Sequence, residues 1–308
     1  MELRMSIKKF VNFYNSIKVD EYIEKVRKPV YHYTSPAGLK GIVENGTFRF
    51  TDRFYLNDKT EGVYVLNLCV NNIKHFDFLN NRFKKVFIDK CNIRIKQPQR
   101  NNFYVYQCCF SVDKDSLCLW NYYTKSEGIK GYNLKINTTD LPNKIKPELY
   151  DNDRSPKLRF GKVIYDKIRQ LELLYEIIKQ FFEFCQKDAI SGEQFICDYL
   201  VDKIMHLGTF FKMDCFEIEH EYRLVFDLFL QDDGTYAVIK NKQKFYEKNG
   251  VFVPCVDISF EKDLLIGIGV SPTLDYCAAK KSVLRMTGSN YENISSDTIY
   301  ESQIPVRY

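Results

Sequence analysis

Apolar and polar positions alternate with two periods along this chain, and the switches between them mark its elements. Ile7, Phe10, Val11, Tyr14 and Ile17 recur at helical spacing, and Tyr22, Ile23 and Val26 extend the stripe. Residues 1–28 therefore read as a helix stopped by Pro29. Val30 to Thr34 is a short β-rich segment, and Ser35-Pro36 supplies a cap and a first helical residue for a helix that ends at Gly46. Thr47 to Thr51 reads as a strand, 63–95 as helical, Phe103 to Ser111 as a strand and Leu117 to Tyr123 as a brief helix. Gly128 to Asn137 and Phe160 to Tyr165 are strand-like, with loop composition over 140–156. Helices are predicted over about 166–188 and 192–210, then strands at 236–240, 251–259 and 264–270. A helix from Thr273 to about Gly288 and a strand near 298–302 close the chain. With no repeat and no linker, this pattern predicts one α+β domain over 29–308, preceded by the helix of 1–28 and carrying a helical insertion at about 166–210.

One stretch combines a strand period with an unusual set of charges. From Glu217 the alternation puts Ile218, His220, Tyr222, Leu224 and Phe226 on one face, and Glu217, Glu219, Glu221 and Arg223 on the other. Same-face neighbours on a strand are about 7 Å apart. Three carboxylates in a row at that spacing repel one another, and the row holds negative charge ready for a developing cation. A solvated strand face explains the same row without chemistry, so the rest of the chain has to decide.

Composition narrows the class. The 308 residues are 45% hydrophobic and 15% aromatic, enough for a sizeable core and incompatible with general disorder. The 45 basic residues are nearly balanced by 40 acidic ones, so the net charge of +5 permits a polyanionic partner without demanding one. Lys74, Arg82, Lys84, Lys85, Lys90, Arg94, Lys96 and Arg100 form a positive stretch with aromatics interleaved, readable as a solvated face or as a nucleic-acid surface. The N-terminal residues lack the apolar core of a signal peptide, and no apolar run approaches the roughly 20 residues that span a bilayer. A cytoplasmic protein with no membrane partner is expected, its 10 cysteines reduced. Neither the cysteines nor the four scattered histidines have metal-site spacing, so no metal is expected.

Several phrases resemble a bacterial family of unknown function. They are Tyr31-His32-Tyr33-Thr34-Ser35, Leu56-Asn57-Asp58 with Glu61, Cys109-Phe110-Ser111, Leu119 to Tyr123, Glu219-His220-Glu221-Tyr222-Arg223 and the ending Ser302 to Arg307. The order of these pieces is similar, more distantly, to the His-Tyr-Glu branch of ADP-ribosyltransferases. That likeness implies split antiparallel sheets with flanking helices, and NAD as substrate. It also implies an early-strand histidine followed by hydroxyl residues, fitted by His32, Thr34 and Ser35. Cys109, Phe110, Ser111, Ser116 and Trp120 or Tyr122 stand where the family floors its nicotinamide pocket, and Glu221 stands at the late-strand glutamate. The family's middle tyrosine is absent at Cys109 and Phe110, and the glycine that often follows the histidine is Tyr33.

On this likeness Glu221 stabilises an oxocarbenium-like ribose, as in glycoside cleavage, and Glu219 positions or deprotonates the acceptor. A neutral His32 imidazole holds a ribose hydroxyl, and the helix starting at Ser35 turns its amides towards a phosphate. Arg53 can pair with Asp58 or with a cofactor phosphate, while Asn57, Asp58 and Glu61 either cap turns or reach the ligand. Trp120, Tyr122 and Tyr123 are either core or a stacking floor. The implied protein is an NAD-consuming ADP-ribosyltransferase, a toxin or phage-defence effector with a nucleic-acid or protein acceptor and a possible antitoxin or other regulatory protein. The alternatives are an RNA 2′-phosphotransferase-like enzyme, which the glutamate pair argues against, and a non-catalytic nucleic-acid- or protein-binding module.

Overall fold

The computed structural model describes residues 2–98, 103–124, 128–150, 156–187 and 192–306, with main chain alone over 2–7. In chain order the helices and strands begin with α1 (Glu2–Ser16), β1 (Val30–Thr34), α2 (Pro36–Asn45), β2 (Thr47–Asp52), α3 (Tyr64–Asn71) and α4 (Asn81–Lys96). There follow β3 (Phe103–Ser111), α5 (Leu117–Tyr123), β4 (Tyr132–Ile136), α6 (Leu141–Lys144), β5 (Ile145–Lys146) and β6 (Arg159–Lys162). The remainder is α7 (Lys167–Lys187), α8 (Glu193–Gly208), β7 (Glu221–Phe229), β8 (Lys244–Lys248), β9 (Val251–Phe260), β10 (Leu265–Val270), α9 (Tyr276–Thr287) and β11 (Ile299–Glu301). Helices and a largely antiparallel mixed sheet make an α+β architecture.

The chain divides into two compact units. The first gathers Met1–Glu24, Leu56–Asn101 and Val163–Glu217, and its elements are α1, α3, α4, α7 and α8. The helices expected as an insertion thus share a core with the N-terminal helix and with 56–101, where a single domain with one insertion was expected. Amphipathic stripes explain this. Leu173, Leu174, Ile177, Ile178 and Phe181 of α7 and Ile196, Leu200, Val201 and Ile204 of α8 are all buried, and a lone helix pair would leave part of such stripes wet. Phe10 of α1 packs 5.1 Å from both Phe195 and Tyr199 and 5.9 Å from Phe184. A side chain at Gly208 would lie 2.3 Å from Val65, so glycine permits that close approach of α8. The first helix ends at Ser16 and not at Pro29, because the Ser16 hydroxyl takes the Phe13 carbonyl at 2.7 Å.

The second unit gathers Lys25–Tyr55, Asn102–Lys162 and Ile218–Tyr308 and contains the sheet. Its eleven strands, among the described residues, follow the order β11-β10-β4-β1-β3-β2-β9-β5, with β7 on β3, β6 on β7 and β8 on β9. Only β10 and β11 pair in parallel among those ladders. The core lies on one face, where Val30, Phe48, Phe50, Tyr106, Phe110, Tyr222, Leu224, Phe226, Val256 and Ile258 meet.

One strand expectation shifts. Residues 236–240 contribute only isolated bridges, Leu230 with Tyr236 and Leu149 with Ile239. The strand forms instead at β8, which pairs with β9 across Asn249 (φ 53°) and Gly250 (φ 78°). Both residues adopt the left-handed region that a two-residue hairpin turn demands, and Asn-Gly meets that demand best.

Candidate active site

Strand β3 is the spine of the site. One edge carries β7 along its whole length, from Phe103 opposite Phe229 to Ser111 opposite Glu221. The other edge forks: β1 meets it only at Tyr31 opposite Ser111, and β2 only at Thr51 and Asp52 opposite Gln107 and Tyr106. Between those contacts the Cys109 carbonyl has no strand to accept from, and a backbone group there needs a partner. His32 Nδ1 supplies it at 2.8 Å. A carbonyl can only accept, so Nδ1 carries the proton. Burial pushes the imidazole pKa down, opposed by the hydrogen bond to Cys109. His32 is therefore neutral at pH 7, with Nε2 a lone-pair acceptor. Its ring rests 5.2 Å from Phe110 and 5.9 Å from Phe48.

The glutamates are not a wet strand face. Asp214–Glu219 winds into a 3-10 turn, His220 takes φ 41°, and the strand begins at Glu221. The expected row of Glu217, Glu219 and Glu221 is thereby broken: Glu217 is exposed, whereas Glu219 and Glu221 are 5% and 6% exposed. Repulsion along an unbroken row of carboxylates works against a straight strand there. From Glu221 onward the alternation holds, with Tyr222, Leu224, Phe226 and Leu228 in the core. On the other face Arg223 Nη2 donates to Glu221 Oε2 at 2.9 Å, and both side chains are buried.

The left-handed kink at His220 costs on the order of 1–2 kcal/mol for a residue with a side chain, and its contacts account for it. Ser111 Oγ donates to the Glu219 carbonyl at 2.8 Å and accepts from the Asp113 amide at 3.1 Å. The Val112 amide donates to the His220 carbonyl at 3.0 Å, and His220 Nδ1 lies 2.7 Å from Asp113 Oδ2. The charges of both carboxylates act on Tyr123 at the end of α5. Burial first, then the charges of Glu219 and Glu221, push its phenol well above its ordinary range, with Arg223 opposing. Tyr123 is nonetheless 40% exposed, so it offers a ring face to solvent beside the buried carboxylates. The Cys109 thiol is raised by burial and then by Glu221, again with Arg223 opposing. Cys109 thus touches both halves of the site, its carbonyl at His32 and its thiol at Glu221.

His32 and Glu221, 189 positions apart in the chain (221 minus 32), meet near the same end of β3. They do not share a face: the His32 ring lies with Phe110, while Glu221 pairs with Ser111 on the opposite side of the strand. Ser35 is a helix cap whose Oγ accepts from the Gly38 amide at 3.1 Å. Thr34 Oγ1 lies over the same turn, 2.0 Å from where a side chain at Gly38 would begin. Arg53 is buried with its guanidinium 5.0 Å above the Phe54 ring. Asn57, Asp58 and Glu61 belong to the helical unit, where Asp58 Oδ1 accepts from the Thr60 amide at 2.8 Å and its hydroxyl at 2.7 Å, the turn-capping role. Phe110 is core, and the buried Ser111 hydroxyl is engaged with the kink.

Trp120 is no stacking floor. It is 1% exposed, edge-on to Tyr33 at 4.7 Å, and its Nε1 donates to Asp115 Oδ1 at 2.7 Å. Its neighbours Tyr31, Leu119 and Ile129 form a small separate core. Tyr122 is 59% exposed. The aromatic at the carboxylates is Tyr123, which sequence reasoning placed among three interchangeable rings. Its signal was position: the last residue of a seven-residue helix whose buried side is Leu119 and Trp120.

Three residues of the positive stretch are paired within the helical unit. Arg82 pairs with Glu193 at 2.7 Å, Lys90 with Asp198 at 2.6 Å and Arg94 with Asp202, tying α4 to α8. Arg100, like Arg307, lies outside the described residues. Among the described residues no helix is long and apolar enough to cross a membrane, and no group of three or more His, Cys, Asp and Glu could hold a metal ion.

Beside the fork, Asp52 is 1% exposed, and burial pushes its carboxyl up to about 6, opposed by the Phe54 amide and Arg53. A raised carboxyl binds its proton more tightly folded than unfolded, so its contribution to stability falls as pH rises from about 4 to 6. Asp52→Asn should therefore match wild type near pH 4 and exceed it at pH 7, by roughly 3 kcal/mol at most. Urea unfolding at the two pH values checks this, and an equal difference at both would refute it.

No family model, curated protein or solved structure matches this chain.

Proposed function

We propose that the chain is an NAD-consuming ADP-ribosyltransferase of ADP-ribosyltransferase-like fold, with Glu221 acting on the nicotinamide-bearing ribose. The observation that carries the reading is a pair of buried carboxylates, Glu219 and Glu221, whose charges both act on the partly exposed Tyr123 at the forked end of β3. Cleaving the nicotinamide–ribose bond develops positive charge on the sugar, and a carboxylate held in a dry site stabilises it far better than one in water. Arg223 fixes Glu221 in orientation. Glu219 then serves as the base towards the acceptor hydroxyl or amine, and Tyr123 offers a face on which a planar nicotinamide can stack. The site of this reading does not include His32, which lies on the other face of that strand end against Phe110 and Phe48. The pairing of Arg82, Lys90 and Arg94 with acids of α8 weighs against a module that grips nucleic acid through α4.

The test keeps the charge and moves it. Glu221→Asp retains the ion pair's sign while withdrawing the carboxylate by one methylene. NAD turnover should fall about 100-fold, as for a 1 Å misplacement of a reacting group, with far-ultraviolet circular dichroism unchanged. Undiminished turnover in Glu221→Asp, or none in wild type supplied with NAD and candidate protein and nucleic-acid acceptors, would overturn the assignment.

A further inference from the structure

We infer that Ser111, Asp113 and His220 form a clasp that positions Glu219 against Glu221, so that the alignment of the carboxylate pair is set by residues that need not touch substrate. The inference rests on the reading of those carboxylates as the reactive pair. Period-two alternation alone would hold the two about 7 Å apart on one face of a strand. The kink interrupts that regular alternation between Glu219 and Glu221, with His220 at φ 41°, which non-glycine residues seldom adopt.

Four contacts hold it. The Ser111 hydroxyl reaches the Glu219 carbonyl at 2.8 Å, the Val112 amide takes the His220 carbonyl at 3.0 Å, and the Asp113 amide is bound to Ser111 Oγ at 3.1 Å. The fourth contact is the imidazole itself, 2.7 Å from the Asp113 carboxylate. Every partner comes from the segment that leaves β3, the same segment whose Asp115 anchors Trp120 at the start of the α5 region. One short stretch, residues 111–115, therefore holds both the carboxylate kink and the helix that carries Tyr123. Ser111, matched on sequence to a cofactor-contacting position, is here a positioning residue.

Three variants at one position separate backbone from side chain. His220→Asn tolerates the left-handed conformation and keeps an amide donor for Asp113, so its kcat should stay within about threefold of wild type. His220→Gly keeps the conformation and loses the contact, and should lower kcat at least tenfold with KM little changed. His220→Val opposes the conformation and should be the most impaired. The second readout needs no activity. In protein with tyrosine ring carbons labelled, Tyr123, assigned by comparison with Tyr123→Phe, should remain un-ionised to higher pH in wild type and His220→Asn than in His220→Gly. Equal kcat in His220→Asn and His220→Gly, or the same Tyr123 titration in both, refutes the clasp. If wild type turns over no NAD, the reading of the site fails and the Tyr123 comparison still decides the clasp.

Discussion

Removing either partner of the Glu221–Arg223 pair is expected to destabilise the protein by about 3–5 kcal/mol, the usual cost of stranding one member of a buried ion pair. The two side chains are 7% and 1% exposed and joined at 2.9 Å. On a wet strand face, Glu221→Gln would have been neutral to the fold, and in the observed site it leaves a buried guanidinium short of its counter-charge. Arg223→Met should be equally costly, because it leaves a carboxylate in the same dry place. Glu221→Gln with Arg223→Met should recover much of the loss, since neither residual group is then charged. Urea denaturation of the four proteins gives the coupling directly. Additive single losses, or a Glu221→Gln variant as stable as wild type, would show that the pair is solvated. The cycle also guards the catalytic test, since lost turnover in Glu221→Gln alone would confound chemistry with unfolding.

The second large effect concerns Trp120. Truncating it to alanine should cost about 3–5 kcal/mol, as for a large aromatic removed from a packed core. Trp120→Phe keeps most of the volume and loses one hydrogen bond to a carboxylate, which costs about 1.5–3 kcal/mol. Asp115 would still hold Ser302 Oγ at 2.7 Å and the Gln303 amide at 2.7 Å, so the loop should keep its path. A ring that floored a ligand pocket would behave otherwise, weakening NAD binding and sparing stability. Thermal unfolding and NAD titration of both variants separate these outcomes.

Much of the chain was legible because its elements carry strong local signals. Phe103–Ser111 and Leu117–Tyr123 begin and end where the pattern put them, and Ser35, Pro36 and Gly46 bound their helix through local cap chemistry. Those features depend on neighbours within a few residues, which a sequence displays directly. The Asn249-Gly250 turn was equally local, and it marks the strand of 244–248 that was expected at 236–240 instead. The grouping of 1–24 and 56–101 with the predicted insertion was not legible, because each stripe is satisfied by whichever partner buries it, and the pattern names no partner.

The candidate site divides along the same line. Sequence identified Glu219, Glu221 and His32 as the residues to watch, from charge type and order along the chain. Tertiary structure alone decided that His220 interrupts the strand, that Glu221 is buried against Arg223, and that Tyr123 and not Trp120 stands at the carboxylates. It also decided that the His32 imidazole answers a carbonyl left open by the fork in β3. The physical reason is common to all of these. A carboxylate's environment and a ring's exposure are set by what packs on them from distant parts of the chain, and no window of neighbouring residues contains that information.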